Sequence, residues 1–270
     1  MQKNDWVSIH EGRAGLTGHT LKIMGIILMV FDHVHQMFYM FGAPVWLTML
    51  GRTVAPVFLF LSAEAFHYTR SRKNYMLRLL IGFWLMGLTT LLVQRLLPLE
   101  DVVLTNNIFG TLFLAVFYMW MTELLERGYA RKDLRLLATG LLGMLAPPFF
   151  GILTLSSVHL NYWLFVTLFV LIPSPLTVEG GFAWIGLGLA FHLFRSHRRL
   201  QVAALAVLAG TTYFLNGGFQ WMMVFASIPI LCYNGKPGRK SKYFFYVFYP
   251  LHIYLLYVAS YLAHLIFPLP

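Results

Sequence analysis

The sequence predicts an all-α fold, a polytopic bundle of about nine or ten membrane-spanning helices, and three observations lead there. Hydrophobic residues make up 59% of the 270-residue chain and charged residues 11%, with a mean hydropathy of +0.68. A chain of that balance needs lipid as its main solvent. Its apolar residues fall in ten stretches, near 20–40, 45–69, 75–97, 105–125, 134–152, 155–173, 178–194, 199–215, 218–233 and 243–267, against roughly 20 residues for one crossing. Finally, fifteen of the 20 Lys and Arg residues lie in four short runs between those stretches. The net charge of +10 therefore reads as a topology signal and not as a nucleic-acid face.

No linker is long enough to divide the chain, so residues 1–270 read as one transmembrane domain. Residues 1–19 form a polar leading segment, and lack the basic start, apolar centre and small-residue cleavage site of a secretory signal. The first helix is expected to be retained, with the amino terminus cytoplasmic and the protein multi-pass in the cell membrane. Cys232 is the single cysteine, so neither an internal disulfide nor a cysteine-based metal site is expected.

The first stretch, LKIMGIILMVFDHVH, carries Asp32 and His33 where lipid-facing residues are expected. Lys22 and His33 are eleven positions apart, which puts them on one helix face about 16 Å from each other. Lys22 then lies near the cytoplasmic surface and His33 well inside. Ionisable groups inside hydrocarbon face a polar cavity or pair with one another, so this pair marks a candidate site. His33 is suited to proton exchange near neutral pH. Asp32 lies about 100° round the helix from it, so the two need not touch.

In the second stretch, Arg52 is either a partner for Asp32 or an interface arginine that snorkels. Pro56 is expected to kink that helix, and Glu64 to lie near its cytoplasmic end with His67 and Tyr68 on the same face. Arg70, Arg72 and Lys73 close it, with Arg78 opening the next. Their guanidinium forks suit phosphate oxygens, or serve only as topology charges. Asn106 and Asn107 open the fourth stretch, where they line a cavity or cap the helix.

The middle of the chain gives less. Parity fails once between the basic runs Arg127–Arg135 and Arg195–Arg199, so either one stretch between 134 and 194 is re-entrant or interfacial, or the second run departs from the positive-inside rule. Pro147-Pro148 and Pro173-Ser174-Pro175 mark irregular places. At the end of the chain a basic loop, Lys236 to Lys242 with Lys240 inside it, precedes a stretch holding Tyr249-Pro250-Leu251-His252. Pro250 leaves the Tyr246 carbonyl without its helical donor, so Tyr249 and His252 flank a distortion of the kind found beside substrate cavities.

Together LKIMGIILMVFDH, GRTVAPVFLFLSAEAFHYTRSRKNYMLRLL and YNGKPGRKSKYFFYVFYPLHIYLLY resemble the TraX family, over about the first 80 and last 40 residues. Its namesake is associated with acetylating the amino terminus of conjugative pilin. The family is similar to the wider acyltransferase-3 membrane proteins, which carry a basic residue, ten intervening residues and a histidine on the first helix. Lys22 and His33 have that spacing. The resemblance implies His33 as catalytic base, in a motif with Lys22, and Arg70 and Arg72 as holders of acyl-CoA. Beside that, Asp32 is expected to assist His33 directly or through water, and Lys240 in the basic loop to help hold acetyl-CoA.

The expected function is therefore acyl transfer, with acetyl the expected group, from cytoplasmic acyl-CoA to an amine or hydroxyl on an extracytoplasmic protein or glycan. Arg52, Glu64, Asn106, Tyr249 and His252 would line the acceptor's path, with membrane lipid around the bundle and no metal. The rival is a proton-coupled transporter that uses Asp32, His33, Arg52 and Glu64 as a relay. A scaffold for secretion machinery is a third reading.

Overall fold

The computed structural model describes residues 15–239 and 242–267 and is α-helical, with one isolated parallel bridge between Leu16 and Tyr233. Its α-helices are α1 (Gly18–Phe38), α2 (Trp46–Gly51), α3 (Val54–Tyr68), α4 (Arg72–Leu96), α5 (Ile108–Arg131), α6 (Leu134–Ser156), α7 (Tyr162–Leu171), α8 (Gly181–Leu193), α9 (Arg198–Asn216), α10 (Ser227–Leu231) and α11 (Lys242–Ile266). Among the described residues six helical segments are long and apolar enough to cross a membrane: Gly18–Phe41, Trp46–Tyr68, Arg72–Leu96, Ile108–Arg131, Leu134–His159 and Phe244–Ile266. The chain is a multi-pass membrane protein.

The middle differs from the sequence reading in a physically informative way. Stretches 155–173, 178–194 and 218–233 become shorter apolar helices, Tyr162–Leu171, Gly181–Leu193 and Gln220–Leu231. At 1.5 Å per residue, the ten residues of α7 reach about 15 Å, half of a hydrocarbon core. Such a length fits the first of the two ways to restore charge parity, a non-crossing element between 134 and 194. Pro147 and Pro148, expected to mark an irregular place, lie inside a helix that continues through them. Pro56 does not kink mid-span either. It occupies the third position of α3, in the first turn, where a missing N–H costs no helical bond, and the chain breaks just before it, at Arg52-Thr53.

The described residues group into two compact units. Unit 1 takes the chain up to Leu61, Val93–Val103 and everything from Phe194 onward, and unit 2 takes Ser62–Leu92 and Leu104–Leu193.

In unit 1, α1 packs against α2 and α11. Lipid tails are as apolar as leucine, so close packing and internal polar bonds fix such helices more than the hydrophobic effect does. One set of bonds ties the start of α1 to the segment leading into α11. Leu16 donates to the Cys232 carbonyl (2.8 Å) and Asn234 donates back to Leu16 (3.0 Å), while Gly18 and His19 donate to the carbonyls of Lys236 (2.8 Å) and Pro237 (2.9 Å). Two amides that a helix start leaves without partners are thereby satisfied. Gly238 closes this strap. Its φ is +70°, and a Cβ there would lie 2.6 Å from Thr17 Oγ1. Further along, the Ser260 hydroxyl donates to the Met37 carbonyl (2.6 Å) and the Tyr257 hydroxyl to the Leu97 carbonyl (2.8 Å). With both ends bonded, the register of α11 against α1 is fixed.

In unit 2, α5 packs against α6 and α8. Lys132, in the left-handed region at φ 53°, ends α5, and the Asp133 carboxylate caps α6 by accepting from the amides of Arg135 (2.9 Å) and Leu136 (3.3 Å). The Arg72 fork is paired with both oxygens of Glu123, one bond at 2.8 Å, and its guanidinium lies 4.6 Å from the Phe66 ring. Asn107 does not cap α5 through its side chain. Its amide donates instead to the Phe83 carbonyl at 3.0 Å.

Candidate functional site

The site grows from two adjacent residues of α1 that face different neighbours. His33 is buried, and its Nδ1 lies 2.8 Å from Nε2 of His252 on α11, itself buried. The rings are 4.9 Å apart, tilted by 40°. On its other side the His252 ring stacks on Phe248, one turn back, at 5.0 Å and 11°, and its Nδ1 donates to the Phe248 carbonyl at 2.9 Å. Tyr249 is buried beside both, its ring 6.5 Å from His33 and 6.0 Å from His252. Pro250, inside α11, lies between these two residues of the site.

Asp32 turns toward α2. Its Oδ1 accepts from the Thr48 hydroxyl and from Arg52, the latter at 2.5 Å. Arg52 is spread over several acceptors: Nε donates to the Thr48 carbonyl (3.1 Å), one terminal nitrogen to Gln220 Oε1 (3.1 Å), and the other also to Thr48 Oγ1 (2.7 Å). The guanidinium therefore bridges α1, its own helical turn and the 3₁₀ segment Gln220–Ala226. Gly51 makes that approach possible, since a Cβ there would overlap the Asp32 side chain, with Cγ at 2.6 Å.

Unit 1 thus brings together five of the residues singled out in the sequence, as two groups: His33 with His252 and Tyr249, and Asp32 with Arg52. Lys22 belongs to neither group. It sits about three helical turns from His33, its Nζ 5.2 Å from the centre of the Phe245 ring. The remaining residues lie in unit 2. Glu64 is buried, whereas His67 and Tyr68, three and four positions further along the same helix, are exposed. Asn106 is half-buried in the segment before α5, Arg70 is exposed, and Arg72 is engaged by Glu123. Lys240 lies outside the described residues.

Thr48, Gly51, Gln220 and Phe248 complete the arrangement and were not singled out. Thr48 was findable, being one turn before Arg52 on the same helix face. A family model described as TraX protein matches residues 17–260. The chain belongs to the TraX family. The match runs from the N-cap of α1 to Ser260 of α11, so the TraX region includes the strap, the His33–His252 pair and the Asp32–Arg52 network. No curated protein and no solved structure matches this TraX-family chain.

Proposed function

We propose that this protein is an acyltransferase of the cell membrane, with its amino terminus in the cytoplasm, that moves an acetyl group from acetyl-CoA to an amine or hydroxyl outside. The observation that supports it most is the buried His33–His252 pair inside a membrane-spanning helix. An imidazole held by a second imidazole within a membrane-spanning helix is a proton-transfer device in a place where polar groups are costly. The association of the family's namesake with pilin acetylation gives the reading its chemistry. A pilin or other secreted amino terminus, or a surface glycan, is the acceptor class.

The residues divide the work along α1. Lys22 lies near the start of α1, where the Lys236 carbonyl accepts from Gly18, and a positive charge there suits the phosphates of the donor. About 16 Å of helix then separates Lys22 from His33, a length suited to a phosphate-bearing headgroup at one end and a reacting centre at the other. Bound acetyl-CoA supplies an activated thioester carbonyl and a thiolate leaving group. His33 takes the proton from the acceptor N–H or O–H as that atom bonds to the carbonyl carbon. It returns the proton to the departing sulfur, so its own charge is restored. Arg52, at the end of α2 and anchored by Asp32 of α1, presents a polar surface for the incoming acceptor.

Acetyl transfer measured with His33→Ala at matched membrane levels tests this. A loss of about 10²- to 10⁴-fold is expected for removal of a general base, and undiminished activity overturns the reading. The rival proton-coupled carrier rests on the buried Glu64 as a relay member. Purified protein that binds and slowly hydrolyses acetyl-CoA supports the enzyme, and protein that does neither supports the carrier.

A further inference from the structure

We infer that His252 is a positioning residue that fixes the tautomer of His33, so that Nε2 of His33 is the atom that takes the acceptor's proton. The inference deepens the acyltransferase reading and rests on it for the second half of that sentence. The first half stands on hydrogen-bond geometry alone.

The chain of reasoning starts at a backbone carbonyl. The Phe248 oxygen can only accept, and Nδ1 of His252 is 2.9 Å from it, so that nitrogen carries a hydrogen. A neutral imidazole has one N–H. Nε2 of His252 therefore presents a lone pair, and it does so 2.8 Å from Nδ1 of His33. Two lone pairs cannot face each other at that distance, so Nδ1 of His33 carries the hydrogen and donates. Its Nε2 is then the basic nitrogen, on the far side of the ring from His252.

The alternative is an imidazolium at His252 with hydrogens on both nitrogens, which would turn Nδ1 of His33 into the acceptor and put the hydrogen on Nε2. The surroundings disfavour it. His252 is stacked on Phe248 at 5.0 Å, with Tyr249 at 6.0 Å. Both histidines are buried, and a buried cation without a counter-charge is expensive. The neighbouring carboxylate, Asp32, is held by Arg52 and Thr48. The Phe248 stack also prevents the His252 ring from turning over freely, so the order of donors is held in place.

This arrangement has a catalytic consequence. When His33 takes a proton at Nε2 it becomes a cation whose Nδ1–H already donates to His252, and a hydrogen bond from a charged donor is stronger than one from a neutral donor. His252 thus does what the aspartate does in a Ser-His-Asp triad, setting the tautomer and supporting the imidazolium, but with an uncharged acceptor.

The experiment uses full-length protein with ¹⁵N-labelled histidine in lipid bilayers, with His33 assigned by difference against His33→Gln. Nitrogen NMR reads which ring nitrogen of His33 holds the hydrogen. The expected result is hydrogen on Nδ1 in the wild type and in His252→Gln, whose amide oxygen can accept in place of Nε2. In His252→Phe, which keeps a ring but no acceptor, it should move to Nε2. In the acetyl-transfer assay His252→Phe should lower kcat by about 10²- to 10³-fold with KM for acetyl-CoA within about twofold, and His252→Gln should restore it to within about tenfold. A wild-type His33 with hydrogen on Nε2, or a tautomer unmoved in His252→Phe, overturns the inference. If the NMR result is as expected but the wild type transfers no acyl group, the tautomer assignment stands and the acyltransferase reading falls.

Discussion

Asp32 and His33 are neighbours in sequence and belong to different assemblies. His33 faces α11 and meets the ring of His252 through a hydrogen bond. Asp32 faces α2 and enters a network of carboxylate, hydroxyl, guanidinium and amide groups that joins α1, the α2–α3 break and the 3₁₀ segment. A rotation of about 100° between consecutive helical residues produces the separation. The comparison teaches that an Asp-His dipeptide on a membrane helix need not be a catalytic dyad. One residue can carry chemistry while the other holds the helix that carries it.

The division predicts unequal losses. His33→Ala should cost about 10²- to 10⁴-fold in activity with the fold intact. Asp32→Asn, which keeps an acceptor for Thr48 but no charge for Arg52, should cost less than about tenfold in kcat and show its effect as a lower melting temperature in detergent. If Asp32→Asn is as inactive as His33→Ala at equal stability, the two residues act as one unit and the separation is broken.

The second prediction concerns the ion pair itself. Arg52→Gln leaves the Asp32 carboxylate with Thr48 alone, and for a partly exposed pair, 28% and 22% at the side chains, a loss of about 1–3 kcal/mol is expected, between surface and buried values. Asp32→Asn combined with Arg52→Gln should lose less than the sum of the single changes. Strict additivity in that cycle would mean the pair does not hold α2 to α1. Gly51→Ala should cost about 1–3 kcal/mol by pushing α2 off Asp32, read as a lower melting temperature. A stabilised Gly51→Ala protein would show that this close approach is not needed.

The sequence made part of this legible. Charge and hydropathy give the fold class because lipid solvation is a bulk property, and a span such as α1 (Gly18–Phe38) follows from composition alone. The Asp32–Arg52 contact could be anticipated because ionisable groups at similar membrane depth must find each other. Three things were hidden. The His33–His252 pair joins residues 219 positions apart, and nothing local in an apolar helix with an internal proline says which other helix its histidine meets. Pro56 looked like a mid-span kink because hydropathy does not show that the chain breaks at Arg52-Thr53 and starts a new helix two residues before it. The Arg72–Glu123 pair was hidden because Glu123 comes from a helix whose packing follows from side-chain shape and not from charge runs.

The smallest expected effect, at Gln220, tests the division where it is thinnest. Gln220 starts the 3₁₀ segment and accepts from one terminal nitrogen of Arg52 at 3.1 Å. Gln220→Met keeps the length and volume of the side chain and removes the acceptor. Arg52 retains its bonds to Asp32, to the Thr48 hydroxyl and to the Thr48 carbonyl, and the nitrogen that loses its partner belongs to a side chain that is 28% exposed. The loss should therefore be near the net value of one hydrogen bond to a charged group in a partly solvated place, about 0.5–1.5 kcal/mol. Acetyl transfer should change by less than about threefold, since a structural network passes on only what it displaces at His33. A drop beyond about tenfold in kcat at unchanged stability would contradict this. Gln220 and Arg52 would then act on the reacting groups, and the two faces of α1 would have to be treated as one centre.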